Sequence, residues 1–187
     1  MDSSGSVEGR ERLRLFCALR LPDDVLDRLV AWQAQEQLDG AGRSVSRDNL
    51  HVTLAFLGAR PAEELPAVVD ALHEAARGAQ RPVLRLTRYR ETRSVGMLVH
   101  DDEGGQATAL AVDLHERLER LRVYRREQRP WMAHVTVLRF RDRPRLRPEL
   151  PDELLAPFSP SEAAVYHSVL RPTGAQYEVL DAVRLGG

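Results

Sequence analysis

Apolar and polar positions along this chain change period several times, and each change marks an element. After a polar opening through about Gly9, the run Leu13–Leu19 (LRLFCAL) has the density of a buried strand. Pro22-Asp23-Asp24 then starts a helix in which Val25, Leu26, Leu29, Trp32 and Ala34 recur at helical spacing, and Gly40–Gly42 closes it. Asp48–Gly58 predicts a second strand. Glu63–Arg77 predicts a second helix that starts near Pro66, carries Val68, Val69, Leu72, Ala75 and Ala76, and stops at Gly78. Strands follow near Val83–Tyr89 and Val95–His100, with a turn at Asp101–Gly105. A third helix, about Gln106–Leu121, is amphipathic through Leu110, Leu114, Leu118 and Leu121. Another strand falls around Ala133–Phe140, and the proline-rich, charged stretch Arg141–Pro160 reads as a loop. Ala163–Leu170 and Ala175–Leu185 alternate as the arms of a hairpin turned at Arg171-Pro172-Thr173-Gly174. The order β-α-β-α-β-β-α-β-β-β favours antiparallel sheets with helices packed outside them, an α+β class.

Composition narrows this picture. A length of 187 residues suits a single domain, 1–187, with residues 1–10 as a loose tail. The hydrophobic fraction of 43% and charged fraction of 29% are those of a globular protein with an adequate core. Cys17 is the only cysteine, which excludes an intramolecular disulfide and places a small apolar residue in the first strand. No run approaches the ~20 apolar residues of a membrane span, and the N-terminal residues lack the apolar middle of a secretion signal, so a cytoplasmic protein is expected. All 27 basic residues are arginine, a bias that genome composition explains as well as phosphate recognition. With a net charge of −1, any polyanion site must be local.

Two strings carry candidate chemistry: His51-Val52-Thr53 and His134-Val135-Thr136, each inside an apolar strand. Of six histidines, only these two have threonine two places on. Alternation sends His and Thr to one face of the strand, while Val52 and Leu54, or Val135 and Val137, face the core. If the two strands face each other across a groove, two imidazoles and two hydroxyls converge. One ring can then act as a neutral base while the other is a protonated acid, and the threonines can donate to the non-bridging oxygens of a phosphodiester. Neither histidine has ligand-spaced partners for zinc, Asp48 being the only nearby acid, so no metal is expected. Ten arginines lie in Arg120–Arg147, most of them read as solvated. Arg139 is singled out because it follows His134 on one short element. Strict alternation would turn it away from His134, so its use requires a bulge or a strand end.

Two H-x-T-x strings roughly eighty residues apart resemble the 2H phosphoesterases. The surrounding text is similar to their bacterial RNA 2′,3′-cyclic phosphodiesterase branch, historically called 2′-5′ RNA ligases. RLFCALRLPDDV resembles that branch's N-terminal strand and helix, NLHVTLAFLG and RPWMAHVTVLRF its two motifs, and VYHSVLRPTGAQYEVL its closing hairpin. Ala133 departs from the family's usual proline before the second histidine, and Trp131 from a common phenylalanine. The resemblance implies a bilobal fold, two pseudo-symmetric antiparallel sheets with outer helices around a central groove, and no metal or other cofactor. It assigns His51 as proton donor to the departing 3′ oxygen, His134 as proton acceptor from water, and Thr53, Thr136 and Arg139 as phosphate-binding. The implied reaction hydrolyses RNA 2′,3′-cyclic phosphate ends to 2′-phosphomonoesters, with the chain acting as a monomer. Ligation to a 2′-5′ bond is a side activity opposed by water at ~55 M. A small-nucleotide substrate and a non-catalytic RNA-end binder are the other readings. A base could stack on Phe16, Phe56, Tyr166 or Trp131, although core packing is the expectation for Phe16 and Phe56.

Overall fold

The computed structural model describes residues 11–172 and 174–186. The expected loose tail at residues 1–10, Thr173 of the hairpin turn and Gly187 therefore lie outside the described residues. The helices sit where apolar spacing puts them. Helix α1 (Asp23–Gln35) follows Pro22, carries Asp23 and Asp24 in its first turn, and buries Val25, Leu29 and Trp32. Helix α2 (Leu65–Arg77) has proline in its first turn, is preceded by a single 3-10 turn at Ala62–Glu64, and buries Val68, Ala71, Leu72, Ala75 and Ala76. Helix α3 (Gln106–Arg120) is capped from outside: the Asp102 carboxylate accepts the backbone N–H of Ala107 and Thr108.

Eight strands form the sheet: β1 (Arg12–Arg20), β2 (Arg43–Ser44), β3 (His51–Pro61), β4 (Val83–Glu91), β5 (Val95–Glu103), β6 (His134–Arg139), β7 (Glu162–Arg171) and β8 (Gly174–Arg184). Their order is β4-β5-β6-β3-β1-β7-β8, with β2 added at β6 and every pairing antiparallel. The two halves meet at a single ladder pair, Val52 opposite Val135. One half is β4-β5-β6 with β2, the other β3-β1-β7-β8, and between them the sheet splays. Helices α2 and α3 pack together, α2 against β7 and β8 and α3 against β3 and β5.

Strand β1 lies between β3 and β7 and is buried on both faces. Leu15, Cys17 and Leu19 enter the main core, while Phe16 and Ala18 face the other way and form a small cluster with Ala164 and Tyr166. Three sequence expectations change. The first motif strand begins at His51 rather than Asp48, because Arg47–Asn49 closes a 3-10 turn, and it runs on to Pro61. The two-residue strand β2 is too short to show a period. Arg141–Pro160 is not all loop: Asp152–Leu155 makes one helical turn (α4) beside α1, and Phe158 bridges Leu84 of β4. No helix among the described residues is long and apolar enough to cross a membrane.

Candidate active site

The pair Val52–Val135 decides where the motif side chains go. Both valines are fully buried, so the flanking His51, Thr53, His134 and Thr136 share the opposite face. Antiparallel strands run in opposite directions, which sets His51 on the Thr136 side of the pair and Thr53 on the His134 side.

Each ring is held in the same way. His51 Nδ1 lies 2.8 Å from the carbonyl of Asn49, and His134 Nδ1 lies 2.9 Å from the carbonyl of Met132, in both cases two residues back. A carbonyl only accepts, so Nδ1 carries the proton and Nε2 is left for chemistry. In the neutral ring the Thr53 hydroxyl donates to His51 Nε2 at 3.1 Å. Burial, joined by the charges of His134 and Arg139 and opposed by the Asn49 carbonyl, pushes His51 down to about 4. The ring is therefore neutral at pH 7 until an anion arrives.

Arg139 reaches this face through a bulge. In the register of β6 against β5, Gly96 faces Leu138 and Met97 faces Thr136, so Val137 is passed over. Val137 and Leu138 are consequently both buried, the phase of the strand shifts by one, and Arg139 rejoins the face of His134 and Thr136. Strand β3 does the same at the same place. Cys17 faces Ala55 and Ala18 faces Thr53, Leu54 is passed over, and Leu54 and Ala55 are both buried. Phe56, five residues past His51 as Arg139 is five past His134, is thereby turned out of the core to 49% exposure. That corrects the expectation that Phe56 is a core residue. Phe16 is buried but not in the main core: its ring stacks on Tyr166 at 4.8 Å and lies 4.9 Å from His51.

The resulting cavity of about 410 Å³ is lined by His51, Thr53, Thr136 and Arg139 together with residues the sequence reading missed. His134 does not line that volume; its partly buried ring disfavours charge on His51 from beside it. The missed residues include Arg14, Arg43, Arg171, Asn49 and Tyr177. Arg14 sits two before Phe16 and shares its face, a signal available once Phe16 is placed on the groove; its guanidinium lies 4.9 Å over the Phe56 ring. Tyr177 presents an edge to His51 at 5.4 Å, and nothing in its alternating strand sets it apart. Trp131 lies off the lining and donates its indole N–H to the carbonyl of Thr53 at 3.0 Å, tying the approach to the second motif onto the first. Among the described residues, no three His, Cys, Asp or Glu side chains converge as metal ligands do.

Comparison with known proteins bears on the family and the fold that carry this site. The sequence model of the family described as LigT like phosphoesterase matches residues 19–94. The RNA 2′,3′-cyclic phosphodiesterase of Thermus thermophilus is 34% identical over 94% of this chain and 91% of its own. That of Escherichia coli is 33% identical over 69% of this chain and 73% of its own. Among solved structures, E. coli LigT complexed with 3′-AMP superposes with a TM-score of 0.81 at 28% identity, covering 95% of this chain and 100% of that one. A Thermus thermophilus structure gives 0.79 at 32% identity, covering 94% and 99%.

Proposed function

This chain belongs to the LigT-like phosphoesterase family, and on that premise we propose that it is an RNA 2′,3′-cyclic phosphodiesterase, a hydrolase that opens cyclic ends to 2′-phosphomonoesters. The observation that carries the reading is the single pair Val52–Val135, which sets two His-Val-Thr strings side by side on one face with both Nδ1 atoms anchored. A phosphate in the groove supplies the negative charge that raises His51 from its low value and protonates Nε2.

The reaction then runs without any further group. His134 takes a proton from water, the oxygen adds to phosphorus, the P–O3′ bond breaks, and His51 gives its proton to the departing 3′ oxygen. Thr53, Thr136 and Arg139 hold the non-bridging oxygens as their charge grows. Exchange with solvent restores both rings. E. coli LigT holds 3′-AMP, a nucleoside monophosphate of the size this groove would take.

The test incubates a cyclic-phosphate-ended RNA oligonucleotide with purified protein in EDTA and identifies the product. We expect a 2′-monoester, with His51→Ala and His134→Ala each slower by about 10²–10⁴-fold at unchanged thermal midpoint. Full activity in either variant would remove that histidine from the mechanism. Loss of wild-type turnover in EDTA would point to a metal-dependent route instead.

A further inference from the structure

A bulge leaves backbone groups without their ladder partners, and a buried carbonyl in that state needs a donor from elsewhere. The two motif strands meet this need at equivalent positions. Leu54 and Val137, each three residues past its histidine, are the residues passed over in their registers. Both lie two residues beyond the Val52–Val135 pair, where β3 and β6 cease to bond each other. A buried side chain reaches each carbonyl. Gln33, on α1 and 6% exposed, donates its amide to the carbonyls of Val137 at 2.8 Å and Val45 at 3.0 Å, joining the Val45 backbone N–H that the Val137 carbonyl also accepts at 3.0 Å. His115, on α3 and 7% exposed, donates from Nε2 to the carbonyl of Leu54 at 2.7 Å. Neither residue lines the groove. Polar groups on the inward face of an amphipathic helix are unfavourable unless they are used, and here two of different chemistry, from different helices, serve the same atom of the same motif.

We propose that Gln33 and His115 are a matched pair of positioning residues for the phosphodiesterase reaction. Gln33 pins the bulge that turns Arg139 toward the phosphate, and His115 pins the bulge that turns Phe56 onto the same groove. The claim rests on the reading that this groove holds the reacting phosphate. Without Gln33 the Val137 carbonyl keeps only the Val45 N–H and the Val45 carbonyl loses its side-chain donor, while without His115 the Leu54 carbonyl loses its side-chain donor, and either loss lets the bulge shift along its strand. A one-residue shift exchanges the two faces and carries Arg139 or Phe56 out of the groove.

The experiment compares Gln33→Met, which keeps the length and loses both N–H donors, alone and combined with Arg139→Ala. It measures kcat and KM on cyclic-phosphate RNA, affinity for 2′-AMP by calorimetry, and the thermal midpoint. Alone, Gln33→Met is expected to lower kcat and weaken 2′-AMP by about 10-fold or more, whereas in the Arg139→Ala background the same change costs under about 3-fold. A folded Gln33→Met with wild-type kcat and affinity, or losses that multiply through in the double variant, would overturn the proposal. The other half is tested by rescue: His115→Gln, which keeps an N–H donor, should stay within about 3-fold of wild type where His115→Phe loses about 10-fold. Equal losses in the two would overturn it, and this arm decides if Gln33→Met does not fold. Wild-type protein that binds 2′-AMP without turning over RNA would refute the activity, and the binding arm would still decide the positioning claim. Wild-type protein that does neither refutes both.

Discussion

At the scale of single residues, the site depends on protons placed where water alone would not put them. His51 titrates near 4 because its ring is buried, and repulsion from any proton on His134 and from the Arg139 guanidinium adds to that. An anion in the groove reverses the balance, so inorganic phosphate or 2′-AMP should move the His51 titration upward by one or more units, read from its ring signals by NMR. An unmoved titration would exclude His51 as the acid. His100, buried on β5 with its ring edge-on to Phe158, is also pushed down to about 4, by burial first and then by repulsion from any proton on His134. A folded value below the unfolded one near 6.5 means that the unfolded chain takes up the proton first. Stability is then complete above about 6.5 and is lost as pH falls toward 4. His100→Leu should therefore shrink the drop in thermal midpoint between pH 7 and pH 4.5, leaving the part due to His51. The paired strings were legible in sequence because residue type and a two-residue spacing suffice to show them. Arg139 was legible only as a condition, since the bulge that turns it is a property of strand pairing and not of its neighbours' identities.

Elements carry the next layer of the site. Strand β2 lies against β6 so closely that a Cβ on Gly42 would stand 2.5 Å from the carbonyl oxygen of Arg139. Gly42→Ala must displace that backbone, and we expect about 1–3 kcal/mol of destabilisation together with weaker phosphate binding; a variant unchanged in both would show that β2 does not fix Arg139. The segment after β6 is clasped by Glu91, whose buried carboxylate accepts N–H groups from Arg143, Arg145 and Leu146. Burial alone would raise this carboxyl, but those donors outweigh it and hold it below the usual range. The clasp contributes stability above the unfolded value near 4.3 and releases as pH falls through the lower folded one. Glu91→Ala leaves two backbone N–H groups unpaired, so proteolysis within 141–150 should accelerate at neutral pH. Helices and long strands were predictable because many apolar positions repeat in them. Strand β2 and the turn at Asp152–Leu155 are too short to have a period, and tertiary contacts alone define them.

Across the whole molecule, charge is sorted rather than abundant. The chain is nearly neutral at −1, yet the lining of the groove includes Arg14, Arg43, Arg139 and Arg171 and, among the described residues, no carboxylate. An RNA end should therefore lose kcat/KM with rising salt more steeply than a cyclic mononucleotide does, and Arg14→Ala should flatten the difference; equal slopes would mean that RNA beyond the terminal phosphate leaves these arginines untouched. The antiparallel α+β architecture was readable from element order, whereas its reduction to one ladder pair at the centre was not, because splay is set by how helices fill the gap between strands. A palindrome reads alike from either end, and two His-Val-Thr strands alone would admit a cyclic phosphate in either sense, with acid and base exchanged. Position five past each histidine breaks the palindrome, with an apolar ring at Phe56 and a guanidinium at Arg139. On the proposed mechanism, the regiochemistry of ring opening, which ribose oxygen departs and which keeps the phosphate, would then depend on two side chains that transfer no proton.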